Sequence, residues 1–156
     1  MTDTVSAPDV QWLNTEETEA WKALVDLAVR LPATLDSQLQ RACGLSFYEY
    51  MVLAMLSEQE DWTLGMSTLA QLTSGSLSRL SHVIKRLEGA GYVSRTRGET
   101  DKRQTNAKLT QTGWEKIVTS APTHVNQVRE IVFEPLNCDQ VKQLFTIVNA
   151  IRPALD

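Results

Sequence analysis

The sequence is poor in the residues from which metal sites, disulfide frameworks and most catalytic centres are built. Its 156 residues include two cysteines, Cys43 and Cys138, and two histidines, His82 and His124. The cysteines are far apart and have no Cys or His at metal-ligand spacing, which excludes a zinc motif and a disulfide framework. A glycine-rich phosphate loop and a Ser or Cys nucleophile motif are also absent. We therefore expect no catalytic residue, no metal and no cofactor, and a protein that is not an enzyme.

Long apolar runs are lacking as well. No stretch approaches the roughly 18 to 20 apolar residues that a membrane span needs. Residues 1–10 are polar and acidic, unlike the basic and then apolar start of a signal peptide. These absences predict a cytoplasmic protein with no membrane partner. The chain length and the hydrophobic content of 42% predict one globular core of ordinary size.

Positive charge is in the minority, since the chain has a net charge of −4. Its distribution is uneven: residues 76–108 contain eight Lys or Arg against three acidic residues, a net charge of +5, so the remainder carries −9. A basic segment in an acidic chain is typical of a polyanion-binding site whose ligand is oriented by repulsion elsewhere. On charge alone, a solvated basic face fits equally well.

Apolar periodicity predicts long helices at both ends of the chain. The stripe from Leu24 to Ala42 indicates an amphipathic helix that begins at Thr15, ends at Gly44 and bends at Pro32. A second stripe, residues 114–132, indicates a helix that starts at Thr110 or Thr112, bends at Pro122 and ends at Pro135. Asn137 with Gln140 forms a capping box for a last helix.

Between these helices, capping residues define three more. Ser46 with Glu49 forms a capping box for a helix to about Ser57. A short helix follows over Ser67–Leu72, after a possible short strand at residues 62–64, and Ser76 caps a helix that runs to Glu88. Tyr50 is expected in the core.

The helix from Ser76 to Glu88 is apolar on one side and basic on the other. Such a face fits the major groove, where Arg and Lys read guanine edges and Ser contacts bases or phosphates. The short helix before it would brace it across the DNA backbone. The candidate DNA-binding residues of this helix are Ser76, Ser78, Arg79, Ser81, His82, Lys85 and Arg86.

Residues 92–97 and 107–109 favour β-structure and flank a polar segment, which predicts a hairpin with a basic tip. Such a hairpin would reach phosphates or the adjacent minor groove, where arginine is favoured. The candidate wing residues are Arg95, Arg97, Asp101, Lys102 and Arg103.

Residues 46–113 resemble the multiple-antibiotic-resistance regulator (MarR) family of winged helix-turn-helix repressors. The most specific match is the wing, with Arg95, then Asp101-Lys102-Arg103, then Leu109-Thr110-Gln111-Thr112-Gly113. Gly91 and Leu69-Ala70 also fit the family pattern.

The resemblance implies that Arg103 enters the minor groove with Asp101 as its orienting partner. It implies base reading by Ser78, Arg79, Ser81 and His82. The family often has Pro where this chain has Leu77 and Arg where it has His82, so its base preference does not carry over.

The expected fold class is mostly α with a small β-wing, a winged helix-turn-helix flanked by long N- and C-terminal dimerisation helices. The expected domains are a flexible N-terminal arm at 1–14, an N-terminal dimerisation helix at 15–45, the DNA-binding domain at 46–109 and C-terminal dimerisation helices at 110–156. Independently of the resemblance, the two long apolar stripes exceed what a small winged domain can cover.

The resemblance implies a sequence-specific repressor that binds double-stranded DNA at a pseudo-palindromic operator as a homodimer. It also implies modulation by a small-molecule effector, for which Trp12, Phe47 and Met51 are candidate pocket residues, although packing explains them equally well. Two alternatives stay open. One is a winged-helix module whose basic face binds an acidic protein, and the other is a redox-sensing regulator that uses Cys43 or Cys138.

Overall fold

The computed structural model describes residues 10–97 and 105–155. The chain divides into two compact units within its first helix, one unit ending at Thr34 and the other beginning at Leu35. The described residues form six α-helices and a small antiparallel sheet, which confirms the predicted fold class of a mostly α winged helix. The elements in chain order are α1 (Thr15–Cys43), α2 (Phe47–Ser57), β1 (Thr63–Gly65), α3 (Met66–Leu72), α4 (Leu77–Gly89), β2 (Val93–Arg97), β3 (Thr105–Leu109), α5 (Gln111–Val128) and α6 (Cys138–Ile151).

The first helix begins at Thr15, as predicted. Asn14 caps it, because its side-chain oxygen accepts the backbone N–H of Glu17 at 2.9 Å. The Glu17 carboxylate accepts the backbone N–H of Asn14 at 2.8 Å in return. This reciprocal pair satisfies two amide groups that a helix start leaves without partners. The helix continues through Pro32 and ends, as predicted, at Gly44, which has a positive φ of 67°.

The predicted caps of α2, α4, α5 and α6 are confirmed. Ser46 with Glu49 and Asn137 with Gln140 form complete capping boxes for α2 and α6. Ser76 caps α4, and Thr110 rather than Thr112 caps α5. The last helical turns before Pro135 form a π-helical segment, Arg129–Phe133.

The core lies in the second unit, between α2, α3, α4 and the ends of α1 and α5. Tyr50 belongs to it, as predicted, with a raised pKa because burial disfavours the phenolate and the charges of Cys43 and Glu58 act in the same direction. The side chains that are fully or almost fully buried here are Leu39, Leu45, Val52, Leu53, Leu56, Leu69, Leu80, Ile84, Leu87, Ala107 and Leu109.

The sheet has the strand order β1-β3-β2, with both pairs antiparallel. In the wing, Val93 lies opposite Leu109 and Arg97 lies opposite Thr105. Trp62, just before β1, stacks on Trp114 of α5 with ring centroids 5.1 Å apart. This contact fixes the sheet to α5.

Candidate nucleic-acid interface

The turn between α3 and α4 is built closely around Tyr48 of α2. Gly75 has no room for a side chain, because a Cβ atom there would lie 2.0 Å from the Tyr48 hydroxyl oxygen. That hydroxyl lies 3.0 Å from Thr73 Oγ1, which donates its proton to the Leu69 carbonyl at 2.7 Å. Since Thr73 has a single hydroxyl proton, Tyr48 is the donor of the first bond. The turn that starts α4 is therefore fixed to α2.

The exposed face of α4 carries the side chains predicted from the sequence. Leu80, Ile84 and Leu87 are buried on the opposite face. Ser76 stands at the helix start, where its hydroxyl accepts the backbone N–H of Arg79 at 3.2 Å. The predicted residues that are exposed on this helix and at its cap are Ser76, Ser78, Arg79, Ser81, His82, Lys85 and Arg86.

Arg79 lies over an aromatic ring. Its guanidinium carbon is 4.1 Å from the ring centroid of Tyr48. This distance is within the range of a cation–π contact. Sequence reasoning missed this contact because Tyr48 lies 31 positions before Arg79 and was not singled out.

Arg86 is paired with a buried carboxylate. Its Nε and Nη2 atoms contact the two carboxylate oxygens of Glu49, whose residue is only 2% exposed. Glu49 also accepts bonds from the backbone N–H and the hydroxyl of Ser46, at 2.8 and 3.0 Å. A two-pronged arginine–carboxylate pair is strongly directional. The predicted DNA-binding residue Arg86 is thus also a link between α4 and α2.

Arg95 connects the wing to α4 in a similar way. Its Nε lies 3.0 Å from a carboxylate oxygen of Glu88, and its Nη2 donates to the Ser81 carbonyl at 3.2 Å. The backbone N–H of Arg95 donates to the other Glu88 oxygen at 3.1 Å. The base of the wing is therefore held against the recognition helix by a partner that the sequence analysis did not assign.

Of the other predicted wing residues, the structure describes those up to the end of β2. Arg97 is exposed at the last position of that strand. Asp101, Lys102 and Arg103 lie outside the described residues, so their proposed minor-groove role stays a prediction.

A cleft of about 460 Å³ lies between α3, α4 and the wing. It is bordered by hydroxyl groups of α3 and α4 and by Arg95, a combination that suits a sugar-phosphate backbone. The lining residues are Gly65, Met66, Ser67, Thr68, Leu77, Ser81, Arg95 and Thr105.

The three residues predicted to line an effector pocket differ in burial and in the unit to which they belong. Trp12 belongs to the first unit and is 83% exposed, whereas Phe47 and Met51 are partly buried in the second. The ring centroid of His124 lies 5.8 Å from that of Phe47 and 4.3 Å from that of Tyr50. Sequence reasoning left His124 without a role.

Two buried polar atoms of the second unit have no hydrogen-bond partner among the described residues, His124 Nδ1 and Gln38 Oε1. Gln38 lies beside His124, since its Nε2 donates to the carbonyl of the preceding residue, Thr123, at 3.3 Å. Burial lowers the pKa of His124 because the charged imidazolium is poorly solvated there. Unpaired buried polar groups are rare and require an explanation.

The cysteines lie at helix ends. Cys43 is partly buried and its carbonyl accepts a bond from Lys116 Nζ at 2.6 Å, while Cys138 is exposed at the start of α6. Residues 10–97 and 105–155 bring together no group of three His, Cys, Asp or Glu side chains suited to a metal ion. Among the helices of this part of the chain, none has the length and apolar character needed to cross a membrane.

Comparison with known proteins gives a consistent result. A family model for the transcriptional regulator SarA/Rot matches residues 34–119, more than half of the chain. The HTH-type transcriptional regulator PapX of Escherichia coli is 26% identical over 132 residues, which cover 81% of this chain and 77% of PapX.

Solved structures are more similar still. A MarR family transcriptional regulator from Streptomyces coelicolor, crystallised in complex with DNA, has a TM-score of 0.91 and 37% identity, covering 94% of this chain and 92% of its own. AbsC, a MarR family transcriptional regulator from the same organism, has a TM-score of 0.88 and 36% identity, covering 94% and 98%. Sequence and fold are thus shared over nearly the full length.

Proposed function

The chain belongs to the MarR family of winged-helix transcriptional regulators, and from this premise we propose that it is a homodimeric repressor of a pseudo-palindromic operator, controlled by a small-molecule effector. Family membership makes it a DNA-binding transcriptional regulator, in agreement with the expectation that it is not an enzyme. The observation that carries the finer proposal is the exposed, basic face of α4 beside the base of the wing.

The dimer is supported by apolar side chains that each unit leaves exposed. The first unit exposes Trp21, Leu24 and Leu27, and α6 of the second exposes Phe145 and Val148, three positions apart on one face. Contiguous exposed apolar groups mark interaction surfaces. A second copy of this chain would cover them and place two α4 helices in successive major grooves.

The effector proposal is supported by the unpaired Nδ1 of His124, whose ring lies beside those of Phe47 and Tyr50, and by the unpaired Oε1 of Gln38. A small molecule with an aromatic ring and a polar group would supply the hydrogen bond that His124 lacks and contacts to the neighbouring rings. An effector that prefers a conformer with the wrong spacing of the two α4 helices would shift the population away from the DNA-bound form. Without effector, the bound dimer would exclude polymerase from the operator.

The test begins with selection of bound sequences from a random duplex library, followed by anisotropy titrations at several salt concentrations. Lys85→Ala on α4 should weaken binding to every duplex and reduce the salt slope by about 1, because one phosphate contact is lost. Lys142→Ala removes the same charge from α6 and should leave the slope unchanged. Absence of any bound duplex at low salt would contradict the proposal and favour a protein-binding winged helix instead.

A further inference from the structure

The three arginines of α4 and β2 are held in different ways. Arg86 and Arg95 are paired with the carboxylates of Glu49 and Glu88. Within the described residues, no acidic side chain forms a salt bridge with Arg79, which instead lies over the ring of Tyr48. The difference matters because a carboxylate occupies the N–H groups of a guanidinium, whereas a ring covers only its flat face.

A guanidinium held over a ring keeps its planar fork of N–H donors free at the edge. That edge fits the O6 and N7 acceptors of guanine in the major groove. Holding the fork in place before binding also reduces the side-chain entropy that is lost when the contact forms. Arg79 is thus prepared for base reading in a way that Arg86 and Arg95 are not.

Tyr48 is itself fixed in place. Its hydroxyl donates to Thr73, and Gly75 packs against it without room for a Cβ atom. Tyr48 is 9% exposed and belongs to α2, so it does not lie on the surface that would face DNA. Its ring therefore orients Arg79 from behind.

We infer that Tyr48 is a positioning residue for sequence recognition, holding Arg79 in the orientation that reads a guanine edge. This inference rests on the proposed function, because it requires the α4 face to lie in a major groove. It assigns part of the base preference to a buried residue outside the recognition helix.

The test measures a specificity ratio, the affinity for the selected duplex divided by that for a random duplex of the same length. Arg79→Ala should lower the ratio about 5- to 100-fold, the effect of one bidentate base contact. Tyr48→Leu should lower it about two- to fivefold, as expected for one cation–π contact. Tyr48→Phe keeps the ring and should keep the ratio, although it loses the bond to Thr73.

Two further variants separate positioning from general stability. Val52→Ala creates a cavity in α2 without touching Arg79 and should lower thermal stability while leaving the ratio unchanged. Arg79→Lys keeps the charge but neither the planar fork nor the flat face that packs on the ring, so it should reduce the ratio, although less than Arg79→Ala does, and preserve the salt slope. Because Arg79 is exposed, this variant remains informative if Tyr48→Leu does not fold.

The outcomes are distinct. Selection of no sequence by the wild-type protein would overturn the proposed function and the inference with it. Selection of a sequence, followed by an unchanged ratio in Tyr48→Leu or in Arg79→Lys, would overturn the inference alone. A loss in Tyr48→Phe equal to that in Tyr48→Leu would also overturn it, since the hydroxyl rather than the ring would then be responsible.

Discussion

The two halves of α1 differ sharply in burial, although they belong to one continuous helix. Before Thr34 every described residue of this helix is exposed or partly exposed, including Trp21 and Leu24. Beyond it, Leu35 and Leu39 are buried in the core of the second unit. Both halves are helical, so the difference in burial comes from what packs against each. An apolar stripe predicts a buried face without showing what covers it.

The same contrast separates α4 from α6. Both are amphipathic, but α4 buries Leu80, Ile84 and Leu87 whereas α6 buries none of its residues. The winged-helix part of the chain therefore buries the apolar face of α4 within its own core. The first half of α1 and α6 have the composition of core elements and lack a cover within their own units.

The largest expected effect comes from truncating one leucine in each half of α1. Leu39→Ala should lower the free energy of unfolding by about 3 kcal/mol at every protein concentration, because it leaves a cavity in a closed core. Leu27 is 51% exposed, so Leu27→Ala should change stability by only about 0.5 kcal/mol in dilute protein. Its effect should grow with concentration if a second copy covers it. Urea unfolding of both variants at two protein concentrations measures these effects. Equal losses of stability in the two variants at both concentrations would refute the contrast between the two halves of α1.

The next largest effect is expected on association. Phe145 is 72% exposed on α6, and Phe145→Asp should weaken self-association about tenfold or more, because a charge would be buried without a partner. Sedimentation velocity over a concentration series measures it. Gln143→Asp adds the same charge to the opposite side of the helix, two positions from Phe145, and should leave association unchanged. If neither variant alters association, α6 is not the dimer surface.

Most of the fold could be predicted from the sequence because its signals are local. A capping box needs residues three positions apart, as in Ser46 with Glu49, and an apolar helix stripe repeats every three or four residues. Local chemistry was also enough to identify the exposed face of α4. The start of α1 at Thr15 was predicted as well, whereas its cap was not, because Thr15 and Asn14 are both good capping residues and only the bond to Glu17 distinguishes them.

The site is less predictable because its contacts join distant segments. Glu49 was fully explained by the capping box, so nothing in the sequence indicated that its carboxylate also binds Arg86, 37 positions away. Tyr48 under Arg79 and Gln38 near Thr123 are likewise long-range contacts. Such pairs depend on how helices pack, which periodicity does not specify.

A smaller effect on stability is expected at the turn between α3 and α4. Ser74 has a positive φ of 50°, a left-handed conformation that costs a residue with a side chain about 1 kcal/mol or more. Ser74→Gly should therefore raise the free energy of unfolding by up to about 1 kcal/mol. Ser81→Gly, the same change inside α4, should lower it by about 0.5 kcal/mol. Destabilisation by Ser74→Gly in thermal unfolding would show that the turn is not strained.

The smallest expected effect is on the pH dependence of the free energy of unfolding. Burial lowers the pKa of His124 below its ordinary value of 6.5, so the unfolded chain binds this proton more readily than the folded one. The contribution to stability is complete above pH 6.5 and is lost as the pH falls from there through the depressed pKa of the folded state. Unfolding midpoints measured from pH 7.5 downward should show this loss.

His124→Phe removes the titrating group while keeping a ring against Phe47 and Tyr50, and its midpoints should fall less steeply with pH than those of the wild type. His82→Phe is the matched control, because His82 is exposed on α4. Its profile should parallel that of the wild type, because this variant retains His124. A flatter profile in both variants would mean that the effect belongs to histidine titration in general, and not to the burial that distinguishes the core from the exposed helices.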